Sequence, residues 1–138
     1  MKSQKGQSLV ETALILPIIL MILFGITDFG RIFHAYLTLD HAGREAARVA
    51  TVGSDLGTIQ TTISNATDTL ESDDPSNPKI VGKTVYFGST VVTDASATPT
   101  SGEEVKIELT YEVDFLTPII GQIIGGFDLK DTTVMRVE

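Results

Sequence analysis

The chain has 138 residues, 42% of them hydrophobic, with a formal net charge of −8 and no cysteine. That length holds one small domain and an anchor, not two full domains. The missing cysteines remove disulfides, thiolate metal sites and cysteine nucleophiles together, and the acidic balance argues against nucleic-acid binding, which needs a basic footprint.

Hydrophobicity is concentrated early. No side chain from Ala13 to Ile26 is polar, and the uncharged stretch runs from Thr12 to Thr27, 16 residues, or roughly 24 Å of helix. A bilayer core is about 30 Å thick, so the stretch crosses it if flanking side chains snorkel or Glu11 is drawn toward the apolar layer. The first 50 residues carry five basic and four acidic side chains, a net of +1, which leaves −9 on residues 51–138. Lys2 and Lys5 precede the apolar run with no acid between them, so the positive-inside rule predicts a cytoplasmic N-terminus and a body across the membrane. A secretory signal peptide also begins with lysines and an apolar core. It needs a small-residue cleavage site just afterwards, and Gly25-Ile26-Thr27-Asp28-Phe29-Gly30-Arg31 offers none.

The helical pattern continues beyond that core. Phe29, Ile32, Phe33, Tyr36, Leu37, Leu39 and Ala47 supply an apolar side, helped by Ala42, Ala46, Val49 and Ala50. Asp28–Arg31, Asp40–Arg44, His41–Glu45 and Glu45–Arg48 are spaced to meet on the helix surface. Pro17 removes one hydrogen bond, which a membrane helix tolerates, and Gly53 is a fitting stop. The expectation is one helix over about 8–52, half in the membrane and half projecting from it.

A body of helix and sheet follows. Leu56, Ile59, Ile63, Ala66 and Leu70 recur at helical spacing and predict a short second helix. Glu71 to Pro78 reads as a loop. Residues 80–93, interrupted by Gly82 and Gly88, read as one bent strand or two short ones. After a polar loop from Asp94 to Gly102, Val105, Ile107, Leu109, Tyr111, Val113 and Phe115 alternate with polar residues. That alternation predicts a strand with one buried and one wet face. A last strand is expected from Phe127 to Val137, with Asp131 out of pattern. Thr117 to Gly126 reads as a short helical tip, with Thr117 as cap and Pro118 at the first helical position. Ile119, Ile120, Ile123 and Ile124 would share one side of it, packed on the protein's own helices or forming a possible contact with a partner or the membrane. The fold class expected is α+β: a long N-terminal membrane helix, a short second helix and a small antiparallel sheet, pilin-like.

Gly6, next to the basic Lys5, stands five residues before Glu11, and the apolar helix starts immediately after. This arrangement resembles the prepilin-peptidase site of type IV pilin-like proteins. The resemblance implies cleavage after Gly6, leaving Gln7 as the new N-terminus, with Glu11 carried on the membrane helix for assembly. A carboxylate at the apolar edge is costly to bury unless a cation neutralises it, and a neighbouring subunit's free α-amine is such a cation. Otherwise Glu11 is an interfacial residue and Gly6 incidental.

The likeness extends through Leu16-Pro17, Phe24-Gly25, Phe29-Gly30-Arg31 and Ala42-Gly43-Arg44-Glu45-Ala46-Ala47-Arg48. Together with Gly6-Gln7-Ser8-Leu9-Val10-Glu11, these segments resemble the TadE-like family, the pseudopilins of tight-adherence (Tad, or Flp) pilus systems. Met135-Arg136-Val137-Glu138 is similar to that family's ending. The similarity is dense over residues 5–52 and sparse in the body. It implies a leader over 1–6, a helix over 7–53 crossing the membrane at about 12–27, and an extracytoplasmic α+β domain over 54–138. It also implies a prepilin peptidase, other pilin or pseudopilin subunits and the Tad inner-membrane machinery as partners. The setting would be a bacterial or archaeal cell membrane.

Enzyme readings find little support. His34 and His41 are seven apart on one helix side, whereas metal pairs on a helix are usually four apart, and no third ligand is evident, so no metal or other cofactor is expected. Gly82-Lys83-Thr84 echoes a phosphate loop, but the first glycine would fall at Asn77. Glu103, Glu104, Glu108, Glu112 and Asp114 read as an acidic, solubilising strand face, and Asn65-Ala66-Thr67 as helical surface rather than a glycosylation site. Two functional classes remain: a pilin-like structural subunit, and an uncleaved envelope-anchored binding domain.

Overall fold

A computed structural model of the chain describes residues 3–70, 80–113, 115–117 and 125–138, with side chains for all of these except 3–5 and 81. Helix α1 runs from Ser3 to Thr51, 49 residues, about 74 Å end to end. Its lower part carries no charge from Thr12 to Thr27, and among the described residues its most apolar window has a mean hydropathy of 2.6 and no buried residue. The threonines at the two ends of the uncharged stretch turn their hydroxyls onto the helix itself. Thr12 donates to the Ser8 carbonyl and Thr27 to the Leu23 carbonyl, each at 2.9 Å. Apart from the one bond that Pro17 cannot donate, the helix keeps its backbone and hydroxyls to itself, as a bilayer core requires. One long apolar N-terminal helix of this kind fits a single-pass membrane anchor.

Above Asp28 the helix becomes one-sided. Ala35, Leu39, Ala42, Ala46, Ala47 and Ala50 are buried, a stripe at helical spacing made mostly of small side chains. Phe29, Phe33, Tyr36 and Leu37 stay exposed, which differs from the apolar side expected from sequence. The reason is distance: alanine and glycine let the helix axis approach the sheet, and bulkier groups would hold it off. Gly43 marks the closest approach. A Cβ there would lie 2.6 Å from Thr133 Oγ1 and 2.7 Å from Asp131 Oδ2, well inside contact distance. Gly53, at φ 78°, ends the helix in the left-handed conformation, and its amide donates to the Ala50 carbonyl at 3.0 Å.

Helix α2, Leu56–Thr67, is capped by Asp55 and buries Leu56, Ile59, Ile63 and Thr67; a 3-10 turn over Asp68–Leu70 continues it and buries Leu70. The expected loop over 71–78 lies outside the described residues. Four strands, β1 Ile80–Phe87, β2 Thr90–Val91, β3 Glu104–Val113 and β4 Phe127–Arg136, form one antiparallel sheet in the order β2-β1-β3-β4. The two glycines that interrupt residues 80–93 act differently. The register shifts between Ile80 and Gly82, which bends β1, while Gly88 at φ 60° turns the chain into β2.

Strand β3 is the centre of the sheet and its alternation is complete: Val105, Ile107, Leu109, Tyr111 and Val113 are buried, while their neighbours are not. The strand ends at Val113, so Phe115, expected as its last inward residue, lies beyond it. The buried face packs with α1, α2 and Val85 and Phe87 of β1 into one core. Because α1 supplies one wall of that core, the boundary near residue 53 is a turn in the chain and not a gap in the packing.

The end of the body formed by residues 53–57 and 94–103 is held by backbone bonds and three carboxylates. The Leu56 amide donates to the Ala97 carbonyl and the Gly57 amide to Ala95, both at 2.9 Å. Asp55 accepts from the Thr58 amide at 2.7 Å; Asp94 accepts from the Ser96 amide and hydroxyl, and Glu103 from the Thr100 amide and hydroxyl. Hydrogen bonds to these neighbours hold all three carboxyls below their ordinary range. Each therefore stabilises the folded chain fully at pH above its unfolded value of about 4, and that contribution is lost as pH falls through the lowered folded value. We expect amide-exchange protection of Thr58, Ser96 and Thr100, corrected for the intrinsic pH dependence, to fall below about pH 4 while that of Ile107 and Leu109 persists. Loss of protection in β3 at the same pH as the loops would contradict it.

Candidate functional site at the membrane end

Gly6, Gln7 and Glu11 lie within the first turns of α1. Gly6 is exposed, with open space where a side chain would project. Gln7 and Glu11 are one turn apart on one helix face, and the Gln7 side-chain amide donates to Glu11 Oε1 at 3.4 Å. Both are exposed. Cleavage after Gly6 would end the helix at Gln7 and bring a new α-amine to within a turn of Glu11, beside the positive end of the helix dipole. Ile119, Ile120, Ile123 and Ile124, with the helical tip that would carry them, lie outside the described residues.

The structure adds a residue that sequence reasoning assigned to a surface ion pair. Asp28, the first charged residue after the apolar run, is only 4% exposed. Its Oδ1 accepts from the Leu116 amide at 2.8 Å, and its Oδ2 from the Thr117 amide at 3.0 Å and the Thr117 hydroxyl at 2.6 Å. The expected partner, Arg31, stands farther off, with Nη1 3.9 Å from Oδ1. Thr117 is 2% exposed, so the clamp is a buried long-range contact across 88 residues of chain. The physical signal was present in the sequence: an acid directly beyond an apolar span is costly unless donors meet it. Which donors would meet it was not legible.

The remaining sequence candidates separate. His41 Nε2 lies 3.4 Å from Glu45, one turn away, and Arg44 pairs with Asp40; His34 and His41 are both exposed. Among the described residues no three His, Cys, Asp or Glu side chains cluster as metal ligands. Gly82-Lys83-Thr84 lies within β1, not in a loop ahead of a helix, and Lys83 Nζ donates to Ser64 on α2 at 3.0 Å.

The face of β3 read as acidic is mixed in its setting. Lys106 Nζ lies 2.6 Å from Glu108 and 4.9 Å from the centre of the Tyr86 ring, whose hydroxyl donates to Glu108 at 3.1 Å. Glu104 stands opposite Arg136 on β4. At the C-terminus the Arg136 side chain donates to the Gly102 carbonyl, and the Val137 backbone bonds Gly102 and Glu103. The residues similar to the family ending thus tie down the loop before β3.

Residues 6–48 match a protein family described as TadE-like protein. The matched segment is the apolar span, the Asp28 clamp residue and most of the small-residue stripe, and it agrees with the resemblance drawn from the sequence. No curated protein matches the chain. No solved structure matches it either.

If the clamp holds the β3–β4 connection to α1, removing its acceptor strands buried donors. Asp28→Ala should lower stability by on the order of 2–3 kcal/mol, and Thr117→Val by about 1–2 kcal/mol. The double variant should cost less than the two losses added, because both remove the same contact. Urea unfolding of the full chain in detergent micelles, followed by near-ultraviolet circular dichroism of the tyrosines, measures all three. Additive losses would show that Asp28 and Thr117 act separately.

Proposed function

From a TadE-like segment over residues 6–48, we propose that this chain is a pilin-like pseudopilin needed for assembly of a tight-adherence pilus or a related secretion apparatus. The observation that carries the reading is the lower half of α1, whose most apolar window has no buried residue among those described, with Glu11 at its edge. A prepilin peptidase removes residues 1–6. The mature chain begins at Gln7, spans the membrane once and holds residues 54–138 outside the cytoplasm, in keeping with Lys2 and Lys5 ahead of the span and the acidic body beyond it.

Glu11 then has a defined task. Among the described side chains it meets Gln7, a neutral group that does not cancel its charge. An isolated acid costs roughly 2.5–3.5 kcal/mol at mid-membrane, and less near the edge. The α-amine freed by cleavage on a neighbouring subunit offsets that cost and sets the register between adjacent helices. A second reading, an uncleaved anchored binding domain, keeps the leader and assigns no partner to Glu11.

Intact mass of the membrane-extracted protein separates the two. We expect loss of residues 1–6 in the wild type and a full-length mass for Gly6→Leu, whose larger side chain blocks a peptidase site fitted to glycine. A mature mass unaffected by that substitution would refute the cleavage site, and a full-length wild type would favour the binding domain. Glu11→Ala should still insert and be cut, yet lose its crosslinks to pilin partners; normal crosslinking and piliation in that variant would rule out the proposed charge pairing.

A further inference from the structure

We infer that the body makes a second contact with the bilayer, through a small apolar rim at the lower end of the sheet formed by Leu116, Phe127 and Phe29. The inference rests on reading residues 12–27 as a membrane span. The Asp28 clamp fixes the height of the body relative to that span. Asp28 is the residue immediately beyond the uncharged stretch, and it is hydrogen-bonded to residues 116 and 117. The segment leaving β3 therefore sits at the level where the helix leaves the apolar layer. Val113 at the end of β3 pairs with Phe127 at the start of β4, so the lower edge of the sheet lies close to the same level.

That edge exposes apolar groups. Leu116 is 53% exposed and Phe127 44%, while Phe29, next to the clamp on α1, is 69% exposed and stacks on Phe33 with ring centroids 6.3 Å apart. Ile26, on the span just below, is also open. An aromatic or aliphatic side chain at that depth is stable in the interfacial layer, where headgroups and acyl chains meet. The acids at this end of the sheet, Glu112 and Asp128, are paired one residue further in and alternate to the opposite face from Val113 and Phe127. Asp28 and the Leu116 and Thr117 amides are consumed in the clamp, so the chain presents Leu116 to lipid without carrying bare donors in with it. The occupant we assign is the bilayer interface and not a protein partner, because the clamp sets these apolar side chains at the height where α1 leaves the uncharged stretch. A single crossing helix leaves the whole chain free to tilt in the bilayer; three apolar side chains beside it resist that tilting.

The chain has no tryptophan, so single substitutions create unique reporters. Leu116→Trp, Phe127→Trp, Leu20→Trp and Val52→Trp all fall at exposed positions. Each full-length variant is reconstituted into phosphatidylcholine vesicles with and without acyl-chain-brominated phosphatidylcholine. We expect bromine to quench Leu20→Trp strongly, Leu116→Trp and Phe127→Trp clearly, and Val52→Trp, at the far end of α1, not at all. Quenching at Leu20→Trp with none at Leu116→Trp and Phe127→Trp overturns the rim while sparing the span. Absence of quenching at Leu20→Trp overturns the span reading itself. Shielding of Leu116→Trp from aqueous acrylamide without bromine quenching also overturns the inference, and points to contact between copies instead.

Discussion

A single unbroken helix in this chain meets two different surroundings, and the change between them falls at Asp28. Below it, from Thr12 to Thr27, α1 carries no charge, and its most apolar window has no buried residue among those described. Above it the helix must bury one face against a sheet and a second helix, and there the side chains shrink to alanine and glycine. Neither half suits the other's place. The lower half, wrapped in leucine and isoleucine, would hold a sheet too far away; the upper half carries Asp40, Arg44, Glu45 and Arg48, which a bilayer would reject. Asp28 joins the halves by turning the first unavoidable charge into an acceptor for the body's own backbone.

Much of the architecture was legible because it rests on local pattern. The uncharged run, the period of α2 and the alternation of β3 are each set by neighbours in sequence, and α2 and β3 appear where the pattern puts them except at their ends, where β3 stops before Phe115 and α2 gives way to a 3-10 turn. The face of α1 was misread for a physical reason. Hydrophobicity ranks phenylalanine above alanine, but helix-to-sheet packing here is limited by approach distance, so Ala42, Ala46 and Ala50 go inward and Phe29 and Phe33 outward. The clamp was illegible for another reason. Its partners lie 88 and 89 residues from Asp28, and although the apolar span beside Asp28 calls for donors, nothing within a few residues says which donors meet it.

The candidate site divides in the same way. Gly6, Gln7 and Glu11 are proposed from order and spacing alone, since a small residue and an acid ahead of an apolar helix need no tertiary contact. The outer face of β3 was read as acidic and solubilising, although Lys106 stands on the same strand and pairs with Glu108. Tyr86 reaches Glu108, and Arg136 comes opposite Glu104, only once β1 and β4 are laid beside it. Charge along one strand says little until the strands beside it are known.

The strands run alongside α1, with Asp28 level with Thr117 and Gly43 level with Asp131 and Thr133. This has a consequence for symmetry. Strand β4 lies at the edge of the sheet, and the commonest way for two such edges to join is antiparallel, about a two-fold axis crossing the strands. Here that axis would invert one copy, so that the two anchors entered the membrane from opposite sides. Copies inserted in the same sense are instead related by rotation or translation in the plane of the membrane. Any contact between their bodies off a two-fold axis along the membrane normal joins one face to a different face, and contacts of that kind close into rings or run on as helices.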